Sequence, residues 1–223
     1  MARESHRQAM RSGLPLVVVA LILLTPSIAV PACAGPWLSD GAASAWIARA
    51  AWGVGAFGSG MMLFALLVFA RAKIDGRSSP SLVAAFAAWT VEFALRLYSG
   101  SSGAPRSDTL VLGEVCAATV AMLGLCGGML ALLRRSQALR ELGPWHLARL
   151  AFALFLVALV GVRLLARWIA PELGTWEWTL SLPFGAPLAW LAFFAPWVAL
   201  VHAVRRSVRW IARKQSVAEI LTS

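Results

Sequence analysis

The sequence has few of the residues that build soluble, metal-binding or disulfide-linked proteins. Only 13% of its 223 residues are charged and 60% are apolar, so a soluble domain of this length would expose much of its apolar surface to water. Its three histidines and three cysteines offer few ligands for a metal ion and at most one disulfide pair. Asparagine is absent, and arginine supplies 18 of the 20 basic residues, which is typical of a GC-rich bacterial genome.

Long apolar runs, by contrast, are abundant. A helix needs about 20 apolar residues to cross a bilayer core. Six segments meet this requirement, at roughly 14–33, 47–70, 80–99, 109–133, 147–170 and 183–204. The connections between them are too short for a separate soluble domain. We therefore predict an all-α fold, a polytopic membrane protein built as one bundle of six transmembrane helices over residues 1–223.

The first apolar segment allows two interpretations. Its basic start, apolar middle and Ala-Cys-Ala end at 32–34 resemble a secretory signal peptide, and cleavage after residue 34 would leave five spans. The apolar run of about 17 residues is long for a signal peptide and short for a span. We favour retention, which gives six spans and a short basic tail at 205–223.

The net charge of +10 is distributed unevenly between the connections. If the N-terminus is cytoplasmic, the cytoplasmic segments hold 15 of the 20 basic residues and four of the ten acidic ones. This positive-inside asymmetry predicts a bacterial inner-membrane protein with both termini in the cytoplasm. The partners we expect are anionic lipid headgroups at the cytoplasmic face and a second membrane protein, not nucleic acid.

Five ionisable residues fall in the outer halves of the predicted spans, where each is energetically costly. Glu92 and Arg96 have the spacing of an intrahelical ion pair, and Arg163 and Arg167 share one face of the fifth span. Glu114 enters the fourth span at a similar depth. Either these charges neutralise one another and set the helix register, or they line an outward-facing pocket suited to a carboxylate or phosphate.

Small residues recur along two spans and favour close helix packing. The first run is GVGAFGSG at 53–60, in which we assign Ser59 to packing. The second is a line on the fourth span formed by Ala117, Ala121, Gly124 and Gly128.

The histidines offer little for metal or haem binding. His146 and His202 lie near the inner ends of the fifth and sixth spans, where two imidazoles at matching depth would be able to ligate a haem. Interfacial histidines are the commoner case, so we predict no metal and no cofactor. Cys33 and Cys116 both lie near the outer face, as a disulfide pair or as small helix residues.

Cys116 opens the fourth span, RRSQALR forms the inner loop at 134–140, and Arg163 lies in the outer half of the fifth span. Over about residues 100–200 this arrangement resembles the exosortase/archaeosortase family of membrane cysteine transpeptidases. The resemblance implies a Cys116 nucleophile, with Arg163 stabilising its thiolate or the oxyanion. The family's histidine has no counterpart in the loop GTWEWTLSLP at 174–183, and its asparagine before the arginine has none either. Whether the protein is an enzyme is therefore left open.

The same loop carries a second resemblance. LGTWEWTLSLPFGAPLAW at 173–190 is similar to the tryptophan-rich loop of cytochrome c assembly proteins, whose core is Trp-x-Trp-Asp. Trp176, Glu177 and Trp178 match this core, and Thr179 replaces its aspartate. The similarity implies haem handling, which we keep, with small-solute transport, as an alternative. A non-catalytic membrane subunit is the main prediction, because the spans hold few hydroxyl, amide or histidine groups.

Overall fold

The computed structural model describes residues 2–34, 42–71, 73–74, 77–101, 108–170 and 185–222. Its six helices are α1 (Ala2–Ala34), α2 (Ala42–Ala70), α3 (Pro80–Ser101), α4 (Asp108–Arg135), α5 (Leu142–Ile169) and α6 (Gly185–Thr222). Between α2 and α3, the two-residue strands β1 (Lys73–Ile74) and β2 (Arg77–Ser78) pair antiparallel, with Lys73 opposite Ser78. A 3-10 turn, Leu139–Glu141, precedes α5. The predicted all-α fold is confirmed.

The described residues include six helical stretches long and apolar enough to cross a membrane, the fifth of which begins in the 3-10 turn before α5. These stretches are Gln8–Thr25, Arg49–Ala70, Pro80–Ser99, Thr109–Arg135, Leu139–Ile169 and Leu191–Arg213. The chain is therefore a polytopic membrane protein. Several boundaries differ from prediction, and the fifth and sixth stretches begin at Leu139 and Leu191 where the sequence indicated 147 and 183. The first stretch begins at Gln8 and not at 14, and α6 continues through the basic tail to Thr222, since no proline or glycine follows Pro196 to stop it.

The helices follow one another around the bundle in chain order. Each packs against the next, and α6 packs against α1. Neighbours are antiparallel: Gly13 near the start of α1 faces Phe69 near the end of α2, and Trp145 near the start of α5 hydrogen-bonds Ser207 on the last part of α6. The start of α1 and the end of α6 therefore lie at the same end of the bundle, called here the terminal end. The other is the opposite end.

The described apolar core lies in the terminal half of the bundle. All six helices contribute, and the largest fully buried side chains include Met10, Phe69, Trp89, Met122, Trp145 and Phe152. In the opposite half, α5 and α6 expose large apolar side chains, among them Leu154, Val157, Leu164, Leu188 and Leu191. Exposed apolar surface of this kind is what a span presents to lipid chains.

Helix α1 is part of this core. Its buried face includes Met10, Leu14, Val17, Ala20 and Leu24, and it packs along α2 and against α6. Removal of residues 1–34 would take this face away. Retention of the first segment stays a prediction.

Glycines on α2 and α4 allow close helix approach, as their spacing predicts. A Cβ atom added at Gly124 would lie 2.6 Å from the main-chain oxygen of Ser81 on α3, and one at Gly128 would overlap the Leu82 side chain. A Cβ at Gly58 would lie 3.0 Å from the main-chain nitrogen of Leu24 on α1. Gly53 has nothing within 4 Å, so only part of the 53–60 run serves close packing.

Candidate functional site

A buried carboxylate on α3, Glu92, is the centre of a polar cluster about midway along the spans. Its side chain has no exposed surface. Arg96, one turn further along α3, donates from Nε to Glu92 Oε1 at 2.7 Å, and Ser59 on α2 donates from Oγ to Oε2 at 2.5 Å. Both carboxylate oxygens are therefore engaged. The intrahelical pair predicted from the sequence is present, and Ser59 is its unpredicted third member.

Two indole groups cross the same α2–α3 interface. Trp89 Nε1 donates to the main-chain oxygen of Ser59 at 2.9 Å, and Trp52 Nε1 donates to the main-chain oxygen of Arg96 at 3.4 Å. In apolar surroundings an unpaired polar group costs roughly 2–7 kcal/mol, which makes paired arrangements strongly favoured. These bonds therefore fix the rotation of α3 relative to α2.

Glu114 on α4 extends the cluster towards the opposite end. It is buried, and its Oε1 lies 2.9 Å from Ser99 Oγ, which is also 2.9 Å from the main-chain oxygen of Arg96. A serine hydroxyl has one proton and donates it to one acceptor at a time. Through Ser99, α4 joins the helices that hold Glu92.

The two arginines predicted on α5 differ in exposure. Arg163 is partly buried, whereas Arg167 is exposed, and no hydrogen bond or ion pair joins Arg167 to Glu92 or Glu114 within the described residues. A common pocket for all five predicted charges stays a prediction. The contacts of the described residues form a self-paired cluster on α2, α3 and α4.

The structure brings Cys116 and Arg163 to neighbouring helices at comparable depth. Cys116 lies eight residues into α4 and Arg163 six residues before the end of α5, which is about 12 Å and 9 Å of helix. No hydrogen bond joins the two side chains in the part of the chain that is described. Both Cys116 and Cys126 are free thiols, with Cys116 partly exposed and Cys126 buried. Their proposed catalytic pairing stays a prediction.

The other residues singled out in the sequence are either exposed or outside the described residues. His146 and His202 are exposed, and His146 Nε2 lies 3.5 Å from Arg134 Nη2. Among the described residues no three histidine, cysteine or acidic side chains gather where they would hold a metal ion. The side chain of Cys33 lies outside the described residues, and so do residues 173–184 of the tryptophan-rich loop, with Trp176 and Trp178.

A second buried carboxylate, Glu141, lies at the terminal end. It is 4% exposed, and its Oε2 lies 3.3 Å from Arg206 Nε on α6, an ion pair without hydrogen-bond geometry. Oε2 accepts no hydrogen bond from any described residue. Glu141 therefore differs from Glu92 in being incompletely satisfied.

Glu141 lines a cleft of about 500 Å³ between the α4–α5 connection and α6. One wall is the connection itself, including Arg140, and the other is formed by Trp210 and Arg213. The connection is shaped by Gln137, whose φ of 60° places it in the left-handed region after α4. The amides of Gln137 and Ala138 donate back to Arg134 and Leu133 respectively, the pattern of a Schellman turn.

Trp145, near the start of α5, is fully buried. Its Nε1 donates to Ser207 Oγ on α6 at 2.9 Å. The indole is thus a helix-to-helix contact at the terminal end. No spacing rule pairs residues 62 positions apart, so this contact was beyond sequence reasoning.

Comparison with models of known protein families, with curated proteins and with solved structures gives no match for this chain. Its function has to be argued from the geometry described above.

Proposed function

We propose that this chain is a non-catalytic subunit of a membrane-protein complex, in which the buried charges of the spans hold helices together. The observation that carries the proposal is the saturation of Glu92. Its two oxygens accept from Arg96 and Ser59 with no exposed surface. A carboxylate that works on a substrate needs an oxygen directed at that substrate, whereas these oxygens are occupied by groups of the protein itself.

The cluster joins three consecutive helices, which is the role expected of a structural ion pair. Ser59 belongs to α2, Glu92 and Arg96 to α3, and Glu114 on α4 is reached through Ser99. Paired intramembrane charges commonly set helix register and rotation. The three helices then form a rigid unit that supports the surface of this chain in contact with its partner.

The test is isolation of the full chain from its native membrane in mild detergent, followed by light scattering of the purified particle. We expect one membrane-protein partner at fixed stoichiometry. A stable, isolated monomer contradicts the proposal. The matched variant is Glu92→Leu with Arg96→Leu, which removes both charges together. If the pair is structural, the double variant should still assemble with the partner. If the charges act on a substrate, the double variant should keep its fold and lose that activity.

The proposed orientation places the terminal end in the cytoplasm of a bacterium. It is supported by ten exposed arginines at that end: Arg11, Arg71, Arg134, Arg135, Arg140, Arg149, Arg205, Arg206, Arg209 and Arg213. The opposite end has far fewer basic side chains, which is the asymmetry of inner-membrane proteins. Protease accessibility of a tag fused after residue 222, in inverted and right-side-out vesicles, measures it directly. A tag cleaved only in right-side-out vesicles contradicts this orientation.

A second candidate function, thiol chemistry of the exosortase type, is favoured by one observation. Of the two described cysteines, the partly exposed one is Cys116, near the opposite end, while Cys126 is buried. The test is labelling with a membrane-impermeant maleimide from the opposite side, with Cys116→Ser as the control. Labelling of Cys116 alone supports this candidate, and an inert Cys116 removes it.

A further inference from the structure

The cleft beside Glu141 lies where spans end, at the terminal end of the bundle. Its lining residues lie between the fourth and fifth spans, at the start of the fifth span and in the last turn of the sixth, which is where lipid headgroups meet a span. Its volume of about 500 Å³ falls within the range of about 300–1,000 Å³ usual for small-molecule sites. A ligand at this level can reach the cleft from the membrane or from the aqueous side.

The cleft and its border have an excess of positive charge. Arg140 and Arg213 line it, and Arg206, outside the lining, pairs with Glu141. Among the described residues at the cleft, guanidinium groups therefore outnumber carboxylates. Guanidinium groups bind phosphate oxygens through paired, charge-assisted hydrogen bonds, so a phosphate group fits this excess.

The carboxylate adds a second requirement. Glu141 Oε2 is buried, lines the cleft and accepts no hydrogen bond from the described residues. A buried acceptor left without a donor is unfavourable, and the Arg206 Nε at 3.3 Å does not supply the missing bond. A ligand carrying an N–H or O–H donor next to its phosphate would supply it. A phosphate without such a donor would instead bring its negative charge next to an unsatisfied carboxylate.

We propose that this cleft binds a phosphate group that carries a neighbouring hydrogen-bond donor, as in a phosphatidylglycerol or phosphatidylethanolamine headgroup. Arg140 and Arg213 hold the phosphate, and Glu141 Oε2 accepts from the headgroup hydroxyl or ammonium. Trp210 forms the apolar wall towards the acyl chains. The site does not depend on the subunit role proposed above, because none of its residues belongs to the Glu92 cluster.

The experiment titrates the full-length protein in detergent with three lipids and counts bound lipid by native mass spectrometry. Phosphatidylglycerol and phosphatidylethanolamine carry the donor, while phosphatidylcholine has the same phosphate and none. We expect the two donor lipids to bind about tenfold more tightly than phosphatidylcholine, the difference of one hydrogen bond to a charged group. Equal binding of all three lipids overturns the proposal.

The variants separate the phosphate contact from the donor contact. Arg140→Ala should weaken all three lipids by about tenfold, whereas Arg11→Ala, an exposed arginine at the same end outside the cleft, should weaken none. Glu141→Leu should abolish the preference over phosphatidylcholine, and Glu141→Gln, which keeps the shape of the side chain, should reduce it. An unchanged preference in both Glu141 variants overturns the proposal, as does an Arg140→Ala variant that binds like the wild type.

A soluble competitor distinguishes the two sources of such a ligand. Glycerol 3-phosphate has a phosphate and hydroxyl donors but no acyl chains. If glycerol 3-phosphate displaces bound lipid from the wild type and not from Arg140→Ala, the site recognises a phosphate with a neighbouring donor, and its ligand is soluble. If glycerol 3-phosphate does not displace the lipid, the same recognition holds and the ligand is the lipid.

Discussion

Glu92 and Glu141 are both buried carboxylates paired with an arginine, yet their surroundings are opposite. Glu92 lies midway along a span and has a protein donor on each oxygen. Glu141 lies at the terminal end beside an open cleft, and its Oε2 accepts no hydrogen bond from the described residues. In the lipid interior no water is present to satisfy a carboxylate, so the protein must do so completely. At the headgroup level a ligand or solvent can complete the set, and burial alone therefore does not distinguish a structural charge from a binding one.

The largest expected effect comes from breaking the Glu92 pair. Glu92→Leu leaves Arg96 charged and largely buried without its partner, and Arg96→Leu does the same to Glu92. Each should lower the free energy of unfolding by about 3–5 kcal/mol. The double variant replaces the pair by apolar side chains and should unfold within about 1 kcal/mol of the wild type. Unfolding in mixed micelles by titrated dodecyl sulfate measures all four proteins, and equal stability of a single variant and the wild type would contradict the assigned pairing.

The next effect tests the contact between α3 and α4, which lies between Glu92 and Glu141 along the bundle. In Gly124→Ala the new Cβ meets the main-chain oxygen of Ser81, which cannot rotate away, so α3 and α4 must separate. We expect a loss of about 1–3 kcal/mol in the same unfolding assay.

Gly161→Ala is the matched control, since a Cβ there meets nothing within 4 Å. It should be neutral or should gain up to about 1 kcal/mol from helix propensity. If the Glu92 cluster and the Glu141 cleft are independent, Gly124→Ala should leave lipid binding unchanged despite its lower stability.

An effect of similar size is expected when one donor is removed from Glu92. Ser59→Ala leaves Oε2 without its hydrogen bond in a buried site, at a cost of about 1–3 kcal/mol. Thr90→Ala provides the control, because its exposed hydroxyl donates to the Phe86 carbonyl of its own helix and bonds no other helix among the described residues. It should change the unfolding free energy by less than about 0.5 kcal/mol. Equal effects of the two variants would show that Ser59 does not matter to Glu92.

The smallest effect is expected at Glu141, where the hydrogen-bond set is incomplete. The Arg206 side chain is 45% exposed, so solvent screens its attraction to Glu141. Glu141→Gln keeps the shape of the side chain and should lower the unfolding free energy by less than about 1 kcal/mol. Glu92→Gln, measured in the same assay, allows a direct comparison of the two carboxylates. If Glu141→Gln lowers the unfolding free energy as much as Glu92→Gln does, the distinction between the two sites is wrong.

The sequence alone predicts the helices and the local ion pair, because both depend on neighbours in the chain. Apolar length identifies the spans, and the four-residue spacing identifies Glu92 with Arg96. Ser59 could not be assigned to Glu92, since the rotation of α2 about its axis is set by packing against α1 and α3. The Trp145–Ser207 bond could not be assigned for the same reason, because the two residues are 62 positions apart. Glu141 was not singled out, because a glutamate in a short polar connection gives no sign of being buried.

The contact between α6 and α1 makes the order of helices around the bundle cyclic. In such a ring each helix keeps the same two neighbours, whichever connection between consecutive helices is cut. A chain in which a flexible linker joins α6 to α1, and which is opened in the β1–β2 connection, would have the same neighbours and the same even number of crossings. Both the new linker and the new break would lie at the terminal end. The molecule is therefore a natural candidate for circular permutation, which would leave the ring of helices unchanged.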